Sequence, residues 1–115
     1  MQPLCRLDDL VAGQPRGFRV GRHSVLVLRT AGGRVCAYLN RCPHLGIPLN
    51  WADDDFMDSD GKLLRCATHG ALFDPASGQC LLGPCKDEFL WQLDCHINDG
   101  QVEVDSSELP GSTTF

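Results

Sequence analysis

The chain has 115 residues, 43% of them hydrophobic and 22% charged, and a formal net charge of −5. That size suits one domain with a real core and leaves no room for a second folded unit. The negative balance argues against nucleic acid, whose phosphates demand a basic face, and suits brief, charge-steered docking onto a basic partner.

The longest purely apolar run, Val25-Leu26-Val27-Leu28, is far too short to span a bilayer. Met1-Gln2-Pro3-Leu4-Cys5-Arg6 lacks the basic-then-apolar pattern of a signal peptide, so a cytoplasmic location is expected. Seven cysteines would read as a disulfide framework in a secreted chain. An odd count without an export signal turns attention to metal ligation and reduced thiols instead.

In chain order, no stretch keeps a helical period, and short β-type runs punctuated by turns recur instead. Residues 3–7 and 18–20 read as short strands on either side of a loop at 13–17. Residues 24–29 and 34–40 flank Ala31-Gly32-Gly33 and predict a hairpin. A second hairpin is predicted from 56–59 and 62–65 around Asp60-Gly61, and a third from 71–74 and 79–82 around Pro75-Ala76-Ser77-Gly78.

The cleanest alternation is Phe89 to Ile97, with Phe89, Trp91, Leu93, Cys95 and Ile97 expected on one face and Leu90 as the exception. Asn98-Asp99-Gly100 then turns into a strand at 101–104. The Ser-, Thr- and Pro-containing stretch 105–115 is expected to be a flexible tail, which makes 1–104 the folded domain. The fold class is therefore all-β and antiparallel.

Chemistry concentrates in two loops between strands: Cys42-Pro43-His44-Leu45-Gly46 and Cys66-Ala67-Thr68-His69-Gly70. Each offers one thiolate and one imidazole, so Cys42, His44, Cys66 and His69 make a metal site by composition. A structural zinc with four tetrahedral ligands is one reading. Against it stand the tight Cys-x-His spacing, the mixed pairs on separate loops, and a glycine after each half that lets backbone crowd a bulky ligand.

These two loops resemble the cluster-binding loops of Rieske [2Fe–2S] proteins. The likeness extends to Val35-Cys36-Ala37-Tyr38-Leu39-Asn40 before the first loop. It also takes in Ala71-Leu72-Phe73-Asp74, Gly78 and Gly83-Pro84 after the second, the last being the proline loop that covers the cluster. The resemblance implies an antiparallel β-sandwich with a cluster-binding subdomain at one end. It implies that Cys42 and Cys66 hold one iron, and that His44 and His69 hold the other, reducible one.

Respiratory-chain members add a disulfide between the loops; Ile47 and Thr68 stand at those positions here. Ala71 and Phe73 replace the hydroxyl donors of high-potential members, so a potential near the low end of about −150 to +300 mV is expected. The resemblance thus implies a ferredoxin-type carrier, not an enzyme by itself. It would pass single electrons from a flavin reductase to a terminal oxygenase, with neither membrane nor nucleic acid as partner. A Rieske-type small subunit or redox sensor of a larger enzyme, and a zinc-stabilised interaction module, are the alternatives.

The 21 residues between His44 and Cys66 are long for the family, the excess lying at 52–60 with five aspartates around Phe56-Met57. Phe56 stands two before Asp58 and no glutamate follows at the twelfth position, so an EF-hand fails. A solvated acidic hairpin is expected there, with a docking surface as the functional alternative. Cys80 and Cys85 are expected as buried thiols rather than a disulfide, and Cys36 and Cys95 as small core residues. His23, His96 and the Arg16, Arg19, Arg22 cluster read as surface, and Trp51 and Trp91 as core or cluster shielding.

Overall fold

The computed structural model describes residues 2–30, 32–43, 48–50, 56–58, 61–67, 70–84 and 86–109. Among these there is no α-helix and no helix long and apolar enough to cross a membrane. Ten strands form three antiparallel sheets: β1 (Gln2–Arg6), β2 (Arg16–Val20), β3 (His23–Arg29), β4 (Val35–Leu39), β5 (Leu64–Arg65), β6 (Leu72–Phe73), β7 (Cys80–Leu82), β8 (Gln92–Leu93), β9 (Cys95–Asn98) and β10 (Gln101–Val104). Their orders are β1-β10-β9, β2-β3-β4-β8 and β5-β6-β7.

The four-stranded sheet is the middle layer. Val25, Leu26, Val27 and Leu28 on β3 are all buried, as are Cys36, Ala37, Tyr38 and Leu39 on β4. Register places Val25 opposite Leu39 and Val27 opposite Ala37 on one face, with Leu26 opposite Tyr38 and Leu28 opposite Cys36 on the other. The first face packs with Val102 and Val104 of β10 and with Leu93. The second packs with Leu64, Phe73, Cys80, Leu90 and the two loop cysteines. A strand covered on both sides needs an unbroken apolar run, which is what residues 25–28 supply.

The predicted hairpins between β3 and β4 and between β6 and β7 form. Gly33, at φ 89°, turns the first, and its N–H donates to the Thr30 carbonyl at 2.9 Å. Asp99 and Gly100, both at positive φ, make the tight turn from β9 to β10 with Asn98 opposite Gln101.

The strand expected at 89–97 is broken. β8 pairs with β4 and β9 pairs with β10, so the chain changes sheets at Asp94. The alternation fails with it: Leu90 is buried, whereas Phe89, Trp91 and Ile97 are exposed. Trp91, at 48% exposure, is thus not a core residue. A period-2 pattern assumes one continuous sheet, and a crossing strand presents its faces to different layers.

The 56–65 hairpin is held by a Met57–Leu64 bridge and by the Asp58 carboxylate, which accepts from the Lys62 and Leu63 amides. Its anchor corrects the expectation of a merely solvated hairpin. Phe56 is fully buried in the core beneath the middle sheet, and Met57 packs against the same cluster. Four of the five aspartates and Trp51 lie outside the described residues. At the other end, residues 105–109, expected as the start of a tail, continue as a 3-10 turn, Ser106–Glu108, and bury Leu109.

Candidate metal centre

The first loop leaves the end of β4 and the second is the tip of the hairpin between β5 and β6. Backbone ladder bonds aim both. The Leu39 N–H donates to the Trp91 carbonyl at 2.8 Å and the Asn40 N–H to the Ser24 carbonyl at 2.8 Å, which fixes the chain immediately before Cys42. In the second loop the Cys66 N–H donates to the Ala71 carbonyl at 2.9 Å, and the Gly70 N–H donates back to the Cys66 carbonyl at 2.8 Å. Gly70 sits at φ 71°, the left-handed conformation that lets four residues close this turn.

The structure brings Cys42 and Cys66 into one apolar cluster, each with no solvent exposure. They come from elements remote in sequence, and the Ala67 N–H donates to the Leu49 carbonyl at 2.8 Å to join the loops directly. His44 and His69 lie outside the described residues, as do Ile47 and Thr68. With two of the four expected ligands there, no group of three metal-binding side chains gathers among the described residues.

A cover closes over the second loop after β7. A Cβ on Gly83 would lie 2.8 Å from Ala71 Cα, so only glycine permits this approach, and its φ of +108° disfavours any other residue. The Lys86 N–H donates to the Gly83 carbonyl at 3.2 Å and the Asp87 N–H to the Cys80 carbonyl at 3.0 Å, folding the loop back on itself. Leu81, Leu82 and Pro84 are exposed on its outside. Ala71 and Phe73, fully buried beside Cys66, offer the site no side-chain donor.

Below the site, the Tyr38 hydroxyl donates to the Pro75 carbonyl at 2.8 Å and the Cys36 thiol to the Ala76 carbonyl at 3.8 Å, tying the 74–79 turn to the middle sheet. Burial raises the pKa of both groups. The Cys80 thiol donates to the Leu82 carbonyl at 3.3 Å, and Cys85 lies outside the described residues. His96 is exposed on β9 opposite Glu103, remote from the loops in the fold, as expected for a surface histidine. His23 is half-buried at the start of β3.

Sequence reasoning missed Asn40, the one polar side chain buried among the described residues. Its signal was an amide at the end of an apolar strand, two positions before Cys42. It also missed Phe56, hidden among aspartates.

A family model described as Rieske [2Fe-2S] domain matches residues 1–105. The ferredoxin component of the alkene monooxygenase system of Xanthobacter autotrophicus is 30% identical over 109 residues, covering 93% of this chain and 82% of that one. The ferredoxin of carbazole 1,9a-dioxygenase from Nocardioides aromaticivorans superposes with a TM-score of 0.69 at 25% identity, covering 90% of this chain and 97% of that one. A complex of reduced oxygenase and oxidized ferredoxin in carbazole 1,9a-dioxygenase contains a chain that matches at TM-score 0.68 and 25% identity, covering 89% of each.

The donor chemistry fits the cluster that this family carries. Two buried thiols from separate, hydrogen-bonded loops suit the thiolate-bound iron, and the apolar wall at Ala71 and Phe73 keeps water from that side.

Proposed function

Because the chain belongs to the Rieske [2Fe–2S] domain family, we propose that it is a one-electron carrier. It is the ferredoxin component that takes electrons from a flavin reductase and delivers them to a terminal oxygenase, and it catalyses no reaction by itself. The observation that carries this is the pair Cys42 and Cys66, fully buried in one cluster on two loops held together by the Ala67–Leu49 hydrogen bond. Cys42 and Cys66 would hold one iron and His44 and His69 the other, within a single Rieske domain.

When bound, the cluster supplies a centre that accepts and releases one electron without breaking a bond. The chain supplies the setting. Cys42 and Cys66 anchor the inner side in the core. Gly83 lets the cover press on Ala71 and exclude water there. The buried Ala71 and Phe73 donate no hydrogen bonds, which leaves added negative charge less stabilised and favours a low potential.

Exposed Leu81, Leu82 and Pro84 on the cover offer an apolar contact beside the site. The net charge of −5 steers a basic partner face toward the protein. A cytoplasmic, reducing setting belongs to this reading and suits Cys5, Cys36 and Cys95, which are thiols in the structure.

The test is metal and sulfide analysis of purified protein with electron paramagnetic resonance of the reduced form. Two iron and two sulfide per chain with a Rieske-type signal are expected. His44→Ala and His69→Ala abolish that signal and His96→Ala leaves it. Colourless protein holding zinc would sink the proposal.

A further inference from the structure

With Cys42 and Cys66 read as ligands, no further cysteine in residues 40–50 or 64–71 is left to join the two loops by a disulfide. Among the described residues the Ala67–Leu49 backbone bond joins them, and one side chain braces it. The Asn40 Oδ1 accepts from the Leu49 N–H at 2.8 Å, and its Nδ2 donates to Asn50 Oδ1 at 2.8 Å and to Ser24 Oγ at 3.2 Å. Asn40 is therefore bonded at both ends of its amide and, through its own N–H, to the Ser24 carbonyl of β3.

The direction of the amide is unambiguous, since a backbone N–H can only donate. Leu49, seven residues beyond Cys42, is caught by Asn40 as the chain returns from the first loop, and its side chain is fully buried. Its carbonyl then accepts from the Ala67 N–H, the residue next to Cys66. A continuous path leads from β3 through Asn40 and Leu49 to the neighbour of the second cysteine.

We propose that Asn40 is the positioning residue that keeps the two ligand loops in register, acting through Leu49 on Ala67. The inference rests on reading Cys42 and Cys66 as ligands of one cluster. Asn40 touches neither cysteine in this path; it sets the distance between the loops that carry them. A side chain locked by hydrogen bonds on both of its polar atoms holds a site more tightly than packing alone.

The test compares holoprotein variants by the rate at which a chelator strips iron, by the electron paramagnetic resonance line shape, and by amide exchange in β3 and β4. Asn40→Leu keeps the branching at Cγ and deletes the acceptor, so iron release should be at least about tenfold faster with a broadened signal and unchanged exchange in β3 and β4. Asn40→Asp retains the acceptor for Leu49 but gives up both Nδ2 bonds, so its iron release should be faster than the parent's and clearly slower than that of Asn40→Leu.

Parental release in Asn40→Leu, equal loss in Asn40→Asp, or loosening of β3 and β4 together with the cluster would overturn the role. Should Asn40→Leu fail to accumulate as folded protein, Asn50→Ala decides. It removes one of the three hydrogen bonds that hold the amide and should speed release several-fold, whereas a parental rate refutes the proposal. If the unmutated protein binds no iron and sulfide, the ligand reading has failed; if it does and the variants are indifferent, only Asn40's role has.

Discussion

Gly83→Ala puts a single methyl where the cover meets the second loop. The new Cβ would stand 2.8 Å from Ala71 Cα and 3.1 Å from its Cβ, both against atoms that cannot swing away. A φ of +108° adds backbone strain of about 1–3 kcal/mol for an L-residue. Overpacking against a fixed neighbour adds about 1–3 kcal/mol. The total, about 2–6 kcal/mol, is a large share of the stability of a domain this size.

The cheapest relief is to lift the cover, since the wall it presses on belongs to the β5–β6 hairpin. Gly33→Ala is the control, because Gly33 has the similar φ of +89° with nothing within 4 Å and so carries the strain without the clash. Urea melts of both variants, paired with chelator-driven iron release, separate the two costs. Gly83→Ala should lose at least about 1 kcal/mol more than Gly33→Ala and release iron several-fold faster. Equal losses in the two variants, or iron release unchanged from the parent, would refute the idea that this close approach seals the site.

Phe56→Ala tests whether the acidic hairpin is part of the core: with the ring fully buried, a loss of about 3–5 kcal/mol in a urea melt is expected, and a loss below about 1 would mean the hairpin is merely appended. Tyr38→Phe removes the hydroxyl that donates to the Pro75 carbonyl at 2.8 Å, leaving a buried ring of nearly the same shape. It should cost about 1 kcal/mol, and a neutral result would show that the 74–79 turn is held by packing alone. Burial first, then the neighbouring Cys36 and Cys5, pushes the Cys95 thiol up to about 11. Its alkylation should therefore stay slow at neutral pH and rise about tenfold per pH unit up to that value, as followed by mass spectrometry. The folded state prefers the protonated thiol, so its stabilising share is complete below the ordinary value of 9.0 and is lost as pH climbs toward about 11.

Turns and donors were legible in the sequence because each depends on chemistry local to a few residues. Gly33 and Asp99-Gly100 predicted their hairpins through the positive φ those turns require. The cysteines and histidines at 42, 44, 66 and 69 announced a metal site by type and spacing, and the family likeness of their loops gave the cluster. The apolar run 25–28 read as part of a strand, but nothing local says that a second layer covers its other face.

Tertiary structure decided what depends on neighbours distant in sequence. The sheet change at Asp94 turned Phe89, Trp91 and Ile97 outward and Leu90 inward, against the alternation. Phe56 reached the core because the hairpin that carries it folds back beneath the middle sheet. Most of all, the sequence by itself named Cys42 and Cys66 as partners. That the loops bearing them meet through Asn40, Leu49 and Ala67 follows only from the fold, because hydrogen bonds between segments this far apart leave no periodic trace in the chain.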